Sequence, residues 1–300
     1  HRACLHKGRR LMQRAVDDCR VGVAMRLDDR LLHADDRRAA VFSEVEALAP
    51  KDGVVALFRM RYDYHNAKTI VKAEAIGTDP TPLLSGAGRA DAQALKTAYE
   101  TGEAGSVPQA VLTAMQTARD ALSRSADPQL ADLILDRAYF AEYHETATQV
   151  GSAFLMGYAQ LQADSANLRA AVRARRMHKD AAFLKSVLVP GGSVPAEEIC
   201  QVLAQDEPFA PLFANTALFA AAQAGDESQT GSLTAFERLC DNTLTAYFAK
   251  AKSVVFGEQV VIAYLCALEN EISAARMIVN GLQAGLPADT IRARLRDLYQ

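Results

Sequence analysis

Three stretches, spaced about a third of the chain apart, carry the same local pattern, and a chain that repeats one helical unit three times has few folds open to it. Asn66, Asn167 and Asn270 each stand six positions before a basic residue, Lys72, Arg173 and Arg276. They are separated by 101 (66 to 167) and 103 (167 to 270) residues. In that register an apolar stripe also superposes: Leu57, Tyr158 and Val261; Met60, Leu161 and Tyr264; Tyr64, Ser165 and Leu268; Val71, Val172 and Ala275. Only Ser165 is polar. Steps of three and four residues trace one face of an α-helix, so each copy predicts a long helix with its stripe inside the protein.

The punctuation repeats as well. Each long helix is followed by a glycine-containing loop and a short acidic helix start, RADAQAL at Arg89, PAEEI at Pro195 and PADTI at Pro287. Proline is pre-set for the first helical turn, and a carboxylate suits the positive end of the helix dipole. The long helices are placed at Val54 to Ile76 before Gly77, at Ala153 to Met177, and from Val261 to the stop at Asn280-Gly281, with Asp52 available to cap the first. Further helices run from Gln109 to Ser123 and from Asp127-Pro128 to Gly151. Phe236-Glu-Arg238 follows Leu135-Asp-Arg137 by 101 positions, extending the repeat to a preceding helix. Residues 9–21 and 27–41 read as surface amphipathic helices with opposite charges a turn apart. No alternating apolar–polar run flanks an Asn-Gly or Asp-Gly turn, so strands are not expected. The expectation is an all-α chain of three pseudo-three-fold-related units of about 100 residues, at 1–104, 105–206 and 207–300.

Composition narrows the function. A formal charge of -3 over 300 residues offers no basic face for nucleic acid. No apolar run of about twenty residues is free of charge, so no direct membrane span is expected. The five cysteines, Cys4, Cys19, Cys200, Cys240 and Cys266, have no CxxC spacing and read as reduced thiols of a cytoplasmic chain. The chain opens on His1 rather than methionine, which reads as a start inside a longer gene product. Signatures of chemistry fail one by one. His144-Glu145 lacks the second histidine that would share a zinc ion, Thr148 standing in its place. Asp28-Asp29 and Asp35-Asp36 are followed by arginine, which pairs them on a surface helix. Gly86-x-Gly88 and Gly191-Gly192 lack the lysine and hydroxyl that cradle phosphates. No catalytic residue, cofactor or metal is expected. The basic cluster Arg173, Arg175, Arg176, His178 and Lys179 complements a helix C-terminus.

The repeated asparagine remains. With Tyr64 in the apolar seam, Asn66 falls on the far side of the helix. Two readings stand: a helix buried on both sides with its amide satisfied by a neighbouring backbone, or three equivalent helices presenting Asn66, Asn167 and Asn270 to a common partner or axis.

YDYHNAKTIVKAEAIG, FLKSVLVPGGSVPAEEI and FGEQVVIAYLCALENEISAARMIVNGLQAGLPADTIRARL resemble the C subunits of the V/A-type ATP synthases, the family that includes the d subunit of the eukaryotic V-ATPase. The resemblance runs from about residue 40 to the C-terminus and leaves the first unit N-terminally incomplete. It implies three helical units forming a funnel, no catalysis, and a place between the central-axle subunits and the membrane rotor (proteolipid) ring, peripheral to the membrane on the cytoplasmic side. Carried over by motif, Asp63, Asn66, Lys72, Asn167, Arg173, Glu269, Asn270, Glu271 and Arg276 become partner-binding candidates that shape the socket. The competing expectation is a free-standing α-helical scaffold of another assembly.

Overall fold

A computed structural model describes residues 27–48, 53–228, 231–255 and 257–298, with side chains from residue 36 onward. Among the described residues there are twelve α-helices and no strand. They are α1 (Leu27–Glu46), α2 (Val54–Ile76), α3 (Ala92–Thr101), α4 (Gln109–Ser125), α5 (Pro128–Val150), α6 (Ala153–Arg176), α7 (Ala181–Val187), α8 (Ala196–Ala204), α9 (Phe219–Glu227), α10 (Thr234–Tyr247), α11 (Glu258–Gln283) and α12 (Ala288–Arg294). The segment 9–21 and the capping residue Asp52 lie outside the described residues. The residue at the N-cap position of α2 is Gly53, in the left-handed conformation with φ 88°.

Local chemistry sets the other ends. Gly77 closes α2 at φ 67°, where a side chain would be strained, and its N–H reaches the Glu74 carbonyl at 3.1 Å. Asp127 caps α5 by accepting from Gln129 N–H at 2.9 Å, with Pro128 in the first turn. Ser152 accepts from Leu155 N–H at 3.2 Å to start α6. The three short helix starts seen in the sequence are α3, α8 and α12, the last two directly after Pro195 and Pro287.

The repeat helices α2, α6 and α11 stand at the centre. Fourteen of the 23 residues of α2 are buried, which puts protein on most of its circumference. Packing runs in a closed circuit: α2 on α5, α5 on α6, α6 on α10, α10 on α11, α11 on α1, and α1 back on α2. The apolar core divides in two, and α6 belongs to both parts: Leu155 and Tyr158 join α1–α5 and α11, whereas Leu168 and Val172 join α7–α10. The expected stripe is inside along α2 and α6: Leu57, Met60 and Val71 are buried, and so are Tyr158, Leu161 and Val172. On α11 it is displaced. Of its four positions Leu268 is buried, but Val261, Tyr264 and Ala275 are only partly buried, while Ile262, Leu265 and Ile272 are enclosed.

Candidate functional site

The three repeat helices share a cavity of about 510 Å³. Its lining shows which residues of each helix are equivalent. Arg61, His65 and Lys68 face it from α2, Gln162, Ala166 and Arg169 from α6, and Cys266, Asn270 and Ser273 from α11. These sets superpose at spacings of 101 (61 to 162) and then 104 (162 to 266) residues. The third copy therefore starts one residue later than the asparagine pattern suggests. Asn270 corresponds to His65 and Ala166, and Glu271 occupies the place of Asn66 and Asn167.

The cavity is graded from one end to the other. Near the N-terminal ends of α2 and α6 the floor is aromatic and closed, with Leu57, Tyr143, Tyr158 and Phe248 all buried. Tyr158 packs against Phe248 with ring centroids 4.6 Å apart and planes tilted by 59°, and its hydroxyl accepts from Gln162 Nε2 at 2.6 Å. Burial pushes the Tyr139 phenol up to about 12 and the Cys266 thiol well above its ordinary value, so both are neutral at pH 7. Towards the C-terminal ends the wall becomes charged and half-exposed. Lys68 on α2 binds Asp136 on α5 at 2.6 Å, and Arg169 on α6 binds Glu237 on α10 at 2.9 Å. Both members of that pair recur 101 positions on, Lys68 to Arg169 and Asp136 to Glu237. Arg169 also pairs with Asp241, which holds Arg296 at 2.6 Å.

The candidates from the sequence separate into groups. Asn66 and Asn167, exposed by 0% and 2%, meet the first of the two readings, the amide satisfied by a neighbouring backbone. Asn66 Nδ2 donates to the Ser85 carbonyl at 2.9 Å, and Ser85 N–H donates to Asn66 Oδ1 at 2.8 Å. Asn167 makes the same two bonds with Val189, at 3.0 and 2.8 Å. Asp63 accepts from Arg89 N–H at 2.9 Å, Ala90 N–H at 3.2 Å and Arg89 Nε at 2.6 Å. Burial raises its carboxyl pKa, against the Arg89 guanidinium and the two backbone N–H groups that lower it. Asp164, which the repeat pattern alone does not single out, is its counterpart 101 positions on and accepts from Val194 N–H at 3.0 Å and Ser193 Oγ at 2.6 Å. Each clamp holds a loop further along the chain, the one before α3 or the one between α7 and α8, chiefly by side chain to backbone, the bond type that substitutes for secondary structure in an irregular segment. The loops come close enough to require glycine: a Cβ on Gly88 would lie 2.5 Å from Asp63 Oδ1. The loop after α11 spans only residues 284–287 and has no such clamp, since Leu268 occupies the place of the aspartate.

The others lie elsewhere. Asn270 lines the cavity and donates to Thr245 Oγ1 at 2.9 Å. Glu269 joins three helices: it accepts from the Tyr62 hydroxyl at 2.7 Å, pairs with Arg38 Nε of α1 at 2.9 Å, and stands 3.8 Å from Arg61. Lys72 pairs with Asp132 at 3.0 Å and Arg173 with Glu237 at 2.6 Å, both on outer flanks of their helices. Glu271 and Arg276 are half-buried on α11. The basic cluster ends in structural contacts, Arg175 stacking 3.9 Å over Phe209 and binding Asp226 at 3.0 Å. Among the described residues no His, Cys, Asp and Glu cluster could hold a metal ion, and no helix is long and apolar enough to cross a membrane.

The three repeat helices thus line one cavity that is apolar and buried at one end and charged and half-exposed at the other. The sequence model of the ATP synthase (C/AC39) subunit family matches residues 32–294. The chain belongs to that family. It is also similar to the C subunit of the V-type sodium ATPase of Enterococcus hirae, with 24% identity over 263 residues, 87% of this chain and 80% of that protein.

Proposed function

We propose that this chain is the non-catalytic coupling component of a rotary V/A-type ATPase. Its three helical units form a funnel in pseudo-three-fold array, and the cavity is the socket for the foot of the central axle. The outer surface rests on the membrane rotor ring, so the chain is a peripheral, cytoplasmic-side component through which torque passes between the ATP-driven head and the ion-carrying ring. The observation that carries this reading is a cavity lined at equivalent positions by all three repeat helices. A torque-bearing socket needs walls that do not shear. Lys68–Asp136 and Arg169–Glu237 tie neighbouring wall helices at the mouth, and Glu269 ties α1 to α2 and α11. Asp63, Asn66 and Asn167 then shape the socket indirectly, by holding the loops at 85–90 and 189–194, whereas Glu269 and Asn270 face its interior.

The test is to fill the socket. Ala166→Trp and Ser273→Trp place an indole in the cavity from α6 and α11 without touching the ion pairs. In vesicles reconstituted with the whole ATPase, ATP hydrolysis should persist while ATP-driven ion uptake falls steeply. Full coupling in both folded variants would remove the cavity from the torque path.

A further inference from the structure

The cavity specifies the chemistry of what enters it, and this inference rests on the socket reading. A helix with side chains is about 10 Å across and rises about 5.4 Å per turn, so a volume of about 510 Å³ admits roughly one turn of chain. A whole coiled coil is too large. The tip of the turn comes to rest on apolar surface, because the floor is Leu57, Tyr143, Tyr158 and Phe248.

One step above the floor, two equivalent positions carry unspent hydrogen-bonding capacity. Arg61 is 56% exposed and lines the cavity. It stands 3.8 Å from Glu269, a carboxylate already engaged by Arg38 at 2.9 Å and by the Tyr62 hydroxyl at 2.7 Å. A guanidinium has five N–H donors, and this one is aimed at a carboxylate that is largely satisfied. Gln162, at the same place on α6, donates to Tyr158, but its buried Oε1 has no hydrogen-bond partner. The site thus offers a cation on one wall and a bare acceptor on the next. The charges at the mouth do not compensate Arg61, since Lys68, Arg169 and Arg296 are taken up with Asp136, Glu237 and Asp241.

We propose that the occupant is a single turn of the axle presenting an apolar side chain to the aromatic floor and, beside it, an acidic side chain to Arg61, with a backbone N–H at the start of that turn donating to Gln162. A carboxylate is the anion that the planar guanidinium fork matches in two parallel bonds. Free N–H groups occur at the first turn of a helix, where an acidic residue is also favoured.

The experiment titrates the purified central axle of the same ATPase against the full chain and reads the dissociation constant and its dependence on salt. Arg61→Glu should weaken binding by at least about tenfold and flatten the salt dependence, while Arg61→Lys, which keeps the charge but loses the second parallel bond, should fall between Arg61→Glu and the parent. Replacing one acidic residue at the axle tip with lysine should restore binding to Arg61→Glu. Arg61 is largely exposed, and melting curves establish that the variants remain folded. Parental affinity in Arg61→Glu, alongside loss of binding in Ala166→Trp, would overturn the acidic tip and leave the socket standing. Parental affinity in both variants would overturn the two together.

Discussion

The first two long helices and the third solve the same packing problem with different polar chemistry. On α2 and α6 an aspartate and an asparagine three positions apart are buried, and each pair holds the backbone of an irregular segment that precedes a short helix, α3 or α8. On α11 the corresponding places carry Leu268 and Glu271, the following loop is short, and a glycine, Gly281, lets Ile291 of α12 lie directly on the helix. A buried amide that binds both polar groups of one residue is needed only where an irregular loop crosses the helix, because those groups would otherwise be buried without partners. Where the chain turns straight into the next helix, the requirement disappears and the position drifts to other uses.

The largest effect expected from this difference is in the core. Ile262 is fully enclosed and Val261 beside it is half-buried. Ile262→Ala should cost about 2 to 5 kcal/mol by cavity formation, and Val261→Ala under about 1 kcal/mol, its methyl groups being partly in water. Denaturant melts decide it. Equal costs would restore the register in which Val261 matches Leu57 and Tyr158.

The asparagines come next. Asn66→Ala and Asn167→Ala each strand a buried N–H and a buried carbonyl, at about 1 to 3 kcal/mol per variant. Asn270→Ala removes one bond to Thr245 at a cavity wall that water reaches, and should cost about 0.5 to 1 kcal/mol. Hydrogen exchange at Ser85 and Val189 sharpens the test, since those amides should lose protection only in the variant of their own clamp. Three equal losses of stability would mean that α11 holds a clamp equivalent to the others.

Most helix positions, the three short helix starts and the absence of strands among the described residues were legible in the sequence, because they follow from spacing and punctuation, although α11 begins earlier than Val261 and runs on through the expected stop at Asn280-Gly281 to Gln283. The register of α11 was not. Its neighbouring pairs Val261 and Ile262, and Tyr264 and Leu265, are apolar, so a slip of one residue leaves a plausible stripe, and Asn270 then matched Asn66 by identity rather than by environment. The cavity wall was harder still. Arg61, Gln162 and Arg169 stand among other polar residues of α2 and α6, such as Arg59 and Asp63 or Gln160 and Asp164, so spacing does not single them out, and the carboxylates that complete the wall come from α5 and α10, far along the chain, with Lys68 and Asp136 68 residues apart. A signal was present in the recurrence of Lys68 and Asp136 as Arg169 and Glu237 at one spacing. It becomes readable as an ion pair only once the two helices are known to touch.

The smallest effect separates the third copy from the others by pH. Glu271 stands where Asn66 and Asn167 stand, but as a titratable group. Burial raises its pKa above the ordinary glutamate value, and the Arg37 guanidinium of α1 offsets that in part. A carboxyl whose pKa is higher in the folded state than in the unfolded chain gives stability that is fully present below the unfolded value and is lost as the pH rises through the folded value. At pH 7 the wild-type protein therefore bears the whole cost of the half-buried charge. Glu271→Gln removes the charge and keeps the shape, so it should melt slightly higher than wild type at pH 7. The gap should close as the pH falls to about 4, where the wild-type carboxyl is itself neutral. Asn66→Asp, which puts a carboxyl into the fully buried version of the same position, should show the same pH trend with a larger loss at neutral pH. A lower melting temperature for Glu271→Gln at pH 7 would show that attraction to Arg37 outweighs burial, and that this position has become an ion-pair site joining α11 to α1.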